Sequence, residues 1–227
     1  MNDAYEKLRK PLPQILGVFS IFFSFFGWVQ YFYGLTIKAT PLYLIISSLI
    51  IIATSIICFI ILAFPYPKNH EDMKKSAFKL MVLDILVLYC LIVSMYNIYF
   101  FLGANMGIDL AVFWGIGIST MIICLASLMY GIYLLSHTPY WLKSKKKDER
   151  VSKKIMTIII AFSLSLLVVF QNIIEYFTVS NINGVNSVFL FLAVIMPVVY
   201  FVVLMLYIHY TQVLSDYELE DADKFFE

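Results

Sequence analysis

Two carboxylates sit inside stretches that are otherwise apolar: Asp84 in LMVLDILVL and Glu175 in VVFQNIIEYF. An acidic side chain at the centre of a membrane-inserted helix costs about 2.5–3.5 kcal/mol. Such residues are therefore the first candidates for binding a proton, a cation or a polar substrate. Depth argues for a quieter role. Asp84 lies about one helical turn inside one end of its stretch, and Glu175 about one turn inside the opposite end of its own. Neither is at the midpoint, so structural pairing near a boundary is the expectation for both. His209 is the only histidine in an apolar stretch and lies at a depth matching Asp84, which makes it the predicted partner, with Lys154 or a first-helix lysine as the alternative by snorkelling. Glu175 has polar company on its own helix. With 3.6 residues per turn, Gln171 and Thr178 fall within about 60° of it, and Asn172 flanks the same face. The stripe predicts an interhelical hydrogen-bond seam in which each contact is worth about 0.6–2 kcal/mol. Its alternative is a small polar pocket facing outward. Lys38 is the candidate counter-charge for Glu175.

Other chemistry is missing from the sequence. There is no H-E-x-x-H, G-x-S-x-G or G-x-x-x-x-G-K-[ST]. Cys58, Cys90 and Cys124 occupy separate apolar runs and form no C-x-x-C, so they read as small buried side chains. A single histidine in the apolar stretches excludes a haem held between two of them. No cofactor and no metal site is predicted, and a non-catalytic protein is expected.

The elements that hold these residues follow from hydropathy. The chain has 227 residues, 62% hydrophobic and 14% charged, with mean hydropathy +0.87. A soluble fold, at about 45–50% apolar, could not hide that surface. Six stretches are long enough to cross a hydrocarbon core as helices: about 15–35, 42–64, 80–102, 109–135, 155–179 and 187–210. Continuous apolar runs without alternation exclude a barrel. The predicted fold is thus an all-α bundle of six transmembrane helices spanning residues 1–214, followed by an acidic tail over 215–227. Thr40 with Pro41, Asp109, Ser152 and Asn186 or Ser187 are predicted helix starts, and Pro65 and Pro67 a stop.

Orientation follows from the basic residues. Of the 16 lysines and arginines, all but Lys38 fall in segments that six spans place on one side. The positive-inside rule makes that side cytoplasmic, with both termini inside. A plasma-membrane, multi-pass protein is expected. The basic segment 143–154 should face anionic lipid rather than nucleic acid. Its attraction for the acidic tail is a further expectation, reaching about 8 Å at physiological salt. In the fourth span, Gly115, Ser119, Ser127 and Gly131 recur at spacings near four and predict a packing face. Pro197, near the middle of the sixth, is a candidate hinge.

The whole hydropathy profile resembles the small polytopic membrane proteins of low-GC Gram-positive bacteria, some of them immunity proteins or neighbours of type VII secretion genes. The paucity of arginine, with only Arg9 and Arg150, suits an AT-rich bacterial genome. The resemblance implies a non-catalytic interaction protein, an immunity factor or an accessory subunit of an export system, with another membrane protein as partner. The alternative is a small transporter or channel using the polar stripe around Glu175.

Overall fold

The computed structural model describes residues 3–32, 40–67, 69–136, 149–182 and 184–223. These form eight helices: α1 (Asp3–Arg9), α2 (Leu12–Phe32), α3 (Leu42–Ala63), α4 (His70–Asn105), α5 (Ala111–Ser136), α6 (Glu149–Ser165), α7 (Leu167–Thr178) and α8 (Ser187–Asp223). There is no strand among the described residues. Six spans are long and apolar enough to cross a membrane, the fifth made of α6 and α7 together. The all-helical bundle of six apolar helices is as the hydropathy predicts.

The helix ends show which local signals act. Asp109 Oδ1 accepts from the Ala111 N–H at 3.0 Å, capping α5 as expected. α3 stops at Ala63, just before Pro65. Pro41 supplies its backbone carbonyl to the Leu44 N–H at 3.1 Å, whereas the Thr40 hydroxyl caps nothing. Ser152 is not a cap, because α6 begins at Glu149. Asn186 precedes α8, but its side chain donates across to the Tyr176 carbonyl at 3.3 Å. The α4–α5 turn closes on Gly107 at φ 74°, with Gly107 N–H to Ala104 O and Ile108 N–H to Gly103 O. That pair of bonds needs a left-handed residue at the turn, which glycine adopts without a Cβ penalty.

Three departures from hydropathy matter. First, α1 packs as a short amphipathic helix with Ala4, Tyr5, Leu8 and Arg9 buried. Second, α8 runs unbroken through Pro197 to Asp223, so the acidic segment continues the last helix as far as the described residues go. Third, the interruption falls in the fifth span, at Leu166, where no proline or glycine stands. Leu166 N–H bonds Ser163 O at 3.1 Å and Val169 N–H bonds Leu166 O at 3.0 Å, a three-residue spacing that tightens the helix locally. Cys124 of α5 donates to the Leu164 carbonyl beside it at 3.3 Å. Lys38, residues 143–148 of the basic segment and residues 224–227 of the tail lie outside the described residues, and with them the predicted loop–tail attraction.

α4 is the hub. It buries side chains all round, from Ala77, Leu80 and Met81 through Ile85, Leu88 and Ile92 to Tyr99, Phe100 and Phe101. It packs against α2 and α3 on one side and α8 on another, while α5, α6 and α7 close the remaining flank. The peripheral helices bury one stripe and expose large apolar side chains elsewhere, such as Phe25, Leu49, Val112, Ile174 and Phe201. Exposure on that scale suits hydrocarbon as the surrounding medium.

Candidate functional site

α7 presents Val168, Asn172 and Glu175 on one buried stripe, the i, i+4, i+7 face of the helix. Glu175 is 5% exposed and Asn172 fully buried. Glu175 Oε1 accepts from Tyr96 Oη of α4 at 2.7 Å and from Gln171 Nε2, one turn back on α7, at 3.0 Å. Gly117 of α5 completes the joint. A Cβ there would stand 1.7 Å from Tyr96 Oη and 2.9 Å from Gln171 Nε2, so only a hydrogen at that position leaves room for the bond. Three helices therefore meet at one carboxylate. Asn172 Nδ2 turns to its own backbone, donating to Val168 O at 2.7 Å. Glu175 Oε2, Gln171 Oε1 and Asn172 Oδ1 have no partner among the described residues.

A second polar clamp lies in the same half of the bundle. Trp114 Nε1 of α5 donates to Asn97 Oδ1 of α4 at 2.9 Å, and Asn97 Nδ2 donates to Ser47 Oγ of α3 at 2.8 Å. Tyr43 stacks on Trp114 with ring centroids 4.6 Å apart. Tyr99 Oη donates to the Ser180 carbonyl at 2.8 Å. Each amide or phenol thereby meets a neighbour within the bundle, where water is scarce and an unpaired polar group is costly.

Sequence spacing finds Gln171, Asn172 and Glu175 because they share a helix. It misses Tyr96 and Gly117, which come from other helices, and Tyr96 is indistinguishable in sequence from a boundary aromatic. Thr178 is not part of the joint: it is exposed and donates to Ile174 O at 2.9 Å.

Asp84 is fully buried, and neither of its oxygens has a partner among the described residues. The expected pair with His209 does not form. His209 Nδ1 lies 3.2 Å from Gln212 Oε1 on its own helix. Depth separates them: Tyr210, next to His209, packs on Phe78 with ring centroids 5.7 Å apart, and Asp84 lies six residues farther along α4, about 9 Å deeper along the axis.

The predicted packing face of the fourth span is also displaced. Gly115 faces open space and Ser119 is exposed. The buried stripe of α5 is Gly117, Met121, Cys124, Leu128 and Ile132. Of the four residues expected, Ser127 is half-buried and Gly131 packs, with Phe162 and Ala161 at 3.3 and 3.4 Å from where its Cβ would be.

Arg9 carries a role the sequence conceals. It is 5% exposed, and its Nη2 donates to the carbonyls of Ile61 at 3.2 Å, Leu62 at 3.1 Å and Phe64, the last turn of α3. Its guanidinium lies 4.1 Å from the Tyr66 ring centroid. A cation on the free carbonyls of a helix C-terminus is favoured by the dipole and by charge-assisted hydrogen bonds.

Among the described residues no group of three His, Cys, Asp or Glu side chains is placed to hold a metal. No curated protein and no solved structure matches the chain. One family model does, over residues 2–221: Domain of unknown function (DUF5079).

Proposed function

We propose that this chain, which belongs to the DUF5079 family, is a non-catalytic interaction protein of the bacterial cell membrane, an immunity factor or an accessory subunit of an export system. One observation carries the reading: Glu175 is a joint. Its Oε1 holds Tyr96 and Gln171 together under the Gly117 backbone, so moving it would loosen three helices at once. A transport site needs a polar group that can change partners during the cycle, and the neighbours of this one are packed against it. In this reading both termini are cytoplasmic and the partner is another membrane protein. The resemblance to small Gram-positive membrane proteins supports that class of partner.

The alternative, a small transporter or channel, draws on a different observation. Glu175 Oε2, Gln171 Oε1 and Asn172 Oδ1 are three acceptors within five residues of α7 without donors, a set that a proton or monovalent cation could satisfy. The two readings part on Glu175→Gln in proteoliposomes carrying a proton or sodium gradient. The interaction reading expects no flux that depends on Glu175. It also expects the variant to keep its cross-linked partner in native membranes. Flux in the wild type that vanishes in a well-expressed Glu175→Gln overturns it.

A further inference from the structure

The end of the bundle that carries α1 holds a recess of about 360 Å³ bounded by α1, the C-terminus of α3 and the start of α4. Its polar lining is Tyr5, Arg9, Ser76 and Lys79, and its apolar walls include Ile61 and Phe64. Among the described residues no carboxylate lines it. Arg9 is always protonated, and among the described residues no acidic side chain forms an ion pair with it. Lys7 of α1 and Lys10 just after it are paired, with Asp3 at 2.7 Å and Glu6 at 2.5 Å. Arg9 is the buried cation, and carbonyl dipoles are its only acceptors. The two hydrogens of Nη2 are shared among those three carbonyls, and Nε and Nη1 have no acceptor among the described residues.

A buried charge met by carbonyl dipoles and the face of the Tyr66 ring, with no anion, is incompletely compensated. Lys79 adds a second positive charge to the recess, exposed and without an ion pair among the described residues. Two cations sharing a recess repel each other unless an anion lies between them. Ser76 Oγ and Tyr5 Oη, 2.8 Å apart, add hydroxyl groups beside them. A planar guanidinium, an ammonium and a hydroxyl are the donors that recognise a tetrahedral oxyanion. The walls are apolar, and Phe64 is largely exposed at the flank of the bundle, where acyl chains would lie.

We infer that this recess binds the phosphate of an anionic phospholipid headgroup, with Arg9 and Lys79 as its cations and Ser76 as a hydroxyl donor. The site is distinct from the basic segment 143–154, and it does not depend on the interaction reading above. Arg9 also caps α3, so its removal would confound binding with folding. Lys79 is the residue to change.

The experiment uses the full chain in neutral detergent, in a background carrying Lys145→Gln, Lys146→Gln and Lys147→Gln so that the basic segment does not mask the site. Thermal unfolding is followed with added phosphatidylglycerol, phosphatidylcholine or inorganic phosphate. Phosphatidylglycerol should raise the midpoint and phosphatidylcholine should not. Lys79→Gln should weaken phosphatidylglycerol binding about fivefold, the ratio corresponding to one lysine at an anionic surface. Lys75→Gln, a residue on the same helix that pairs with Glu71 and does not line the recess, should leave binding unchanged. Equal shifts with phosphatidylcholine, or equal losses from Lys79→Gln and Lys75→Gln, would overturn the site. A full shift from inorganic phosphate alone would overturn the lipid as its source.

Discussion

Replacing Gly117 by alanine would put a methyl carbon 1.7 Å from the Tyr96 hydroxyl oxygen, a separation no repacking of α5 alone relieves. Tyr96 would have to leave Glu175, losing a bond to a buried acid worth about 1.5–3 kcal/mol, with overpacking adding about 1–3 kcal/mol. Gly117→Ala should therefore lower stability by about 3 kcal/mol or more in chemical or thermal unfolding. Tyr96→Phe removes the same bond without the clash, so the double variant should lose less than the sum of the two single losses. Strict additivity would mean that Gly117 and Tyr96 do not share the joint. Asp84 calls for the opposite outcome. Neither of its oxygens has a partner among the described residues, so Asp84→Asn forfeits no hydrogen bond there. Asp84→Leu replaces a buried polar group by an apolar one of similar size and should raise the unfolding midpoint. A loss of about 2 kcal/mol or more in both variants would show that the carboxyl has a partner after all.

Between α1 and α3 the coupling runs through one side chain. Arg9→Gln should loosen the last turn of α3 and detach α1, because three carbonyls lose a charged donor at once. The expected loss is about 2–4 kcal/mol, from charged hydrogen bonds worth about 1.5–3 kcal/mol each, part of it returned by water at the bundle end. Arg9→Lys should recover only part of it, since an ammonium presents no planar fork and stacks less well on Tyr66. Hydrogen exchange at the amides around residues 61–66 reads the effect directly, and unchanged protection in Arg9→Gln would refute the cap. α8 makes the contrary case for a proline. It stays helical through Pro197, so the residue is accommodated in a helix that does not break there. Pro197→Ala should change stability by less than about 1 kcal/mol and leave partner binding intact, whereas a hinge would make that variant inactive.

The molecule as a whole is built around α4, the most buried of the described spans. The remaining spans bury a stripe and show hydrocarbon side chains around the periphery. This arrangement has two ends, and charge identifies them. Lys7, Arg9, Lys10, Lys74, Lys75 and Lys79 lie at the end that holds α1 and the α3–α4 connection, and that end should be cytoplasmic. Single cysteines at Asn105 and Asn183, in a background without Cys58, Cys90 and Cys124, should react with an impermeant maleimide in intact cells. A cysteine at Ser144 should not. Labelling at Ser144 alone would invert the topology.

The number of spans, their rough limits, the cap at Asp109 and the stop before Pro65 were legible in the residues themselves, because length, hydropathy and helix punctuation are local properties of the chain. The shared polar face of Gln171, Asn172 and Glu175 was legible for the same reason, since spacing along one helix fixes it, whereas the bond from Gln171 to Glu175 within that helix came from the structure. The Tyr96 half of the joint was not, nor the need for glycine at position 117, nor the role of Arg9 beneath α3. Each depends on the rotation and depth at which helices distant in sequence pack together. In an environment as apolar as the side chains, hydropathy does not set that rotation. Side-chain shape sets it, together with the demand that every polar group taken into the bundle find a partner there. Asp84 and His209 show the consequence: hydropathy expected them at one depth, and packing set Phe78 rather than Asp84 beside Tyr210.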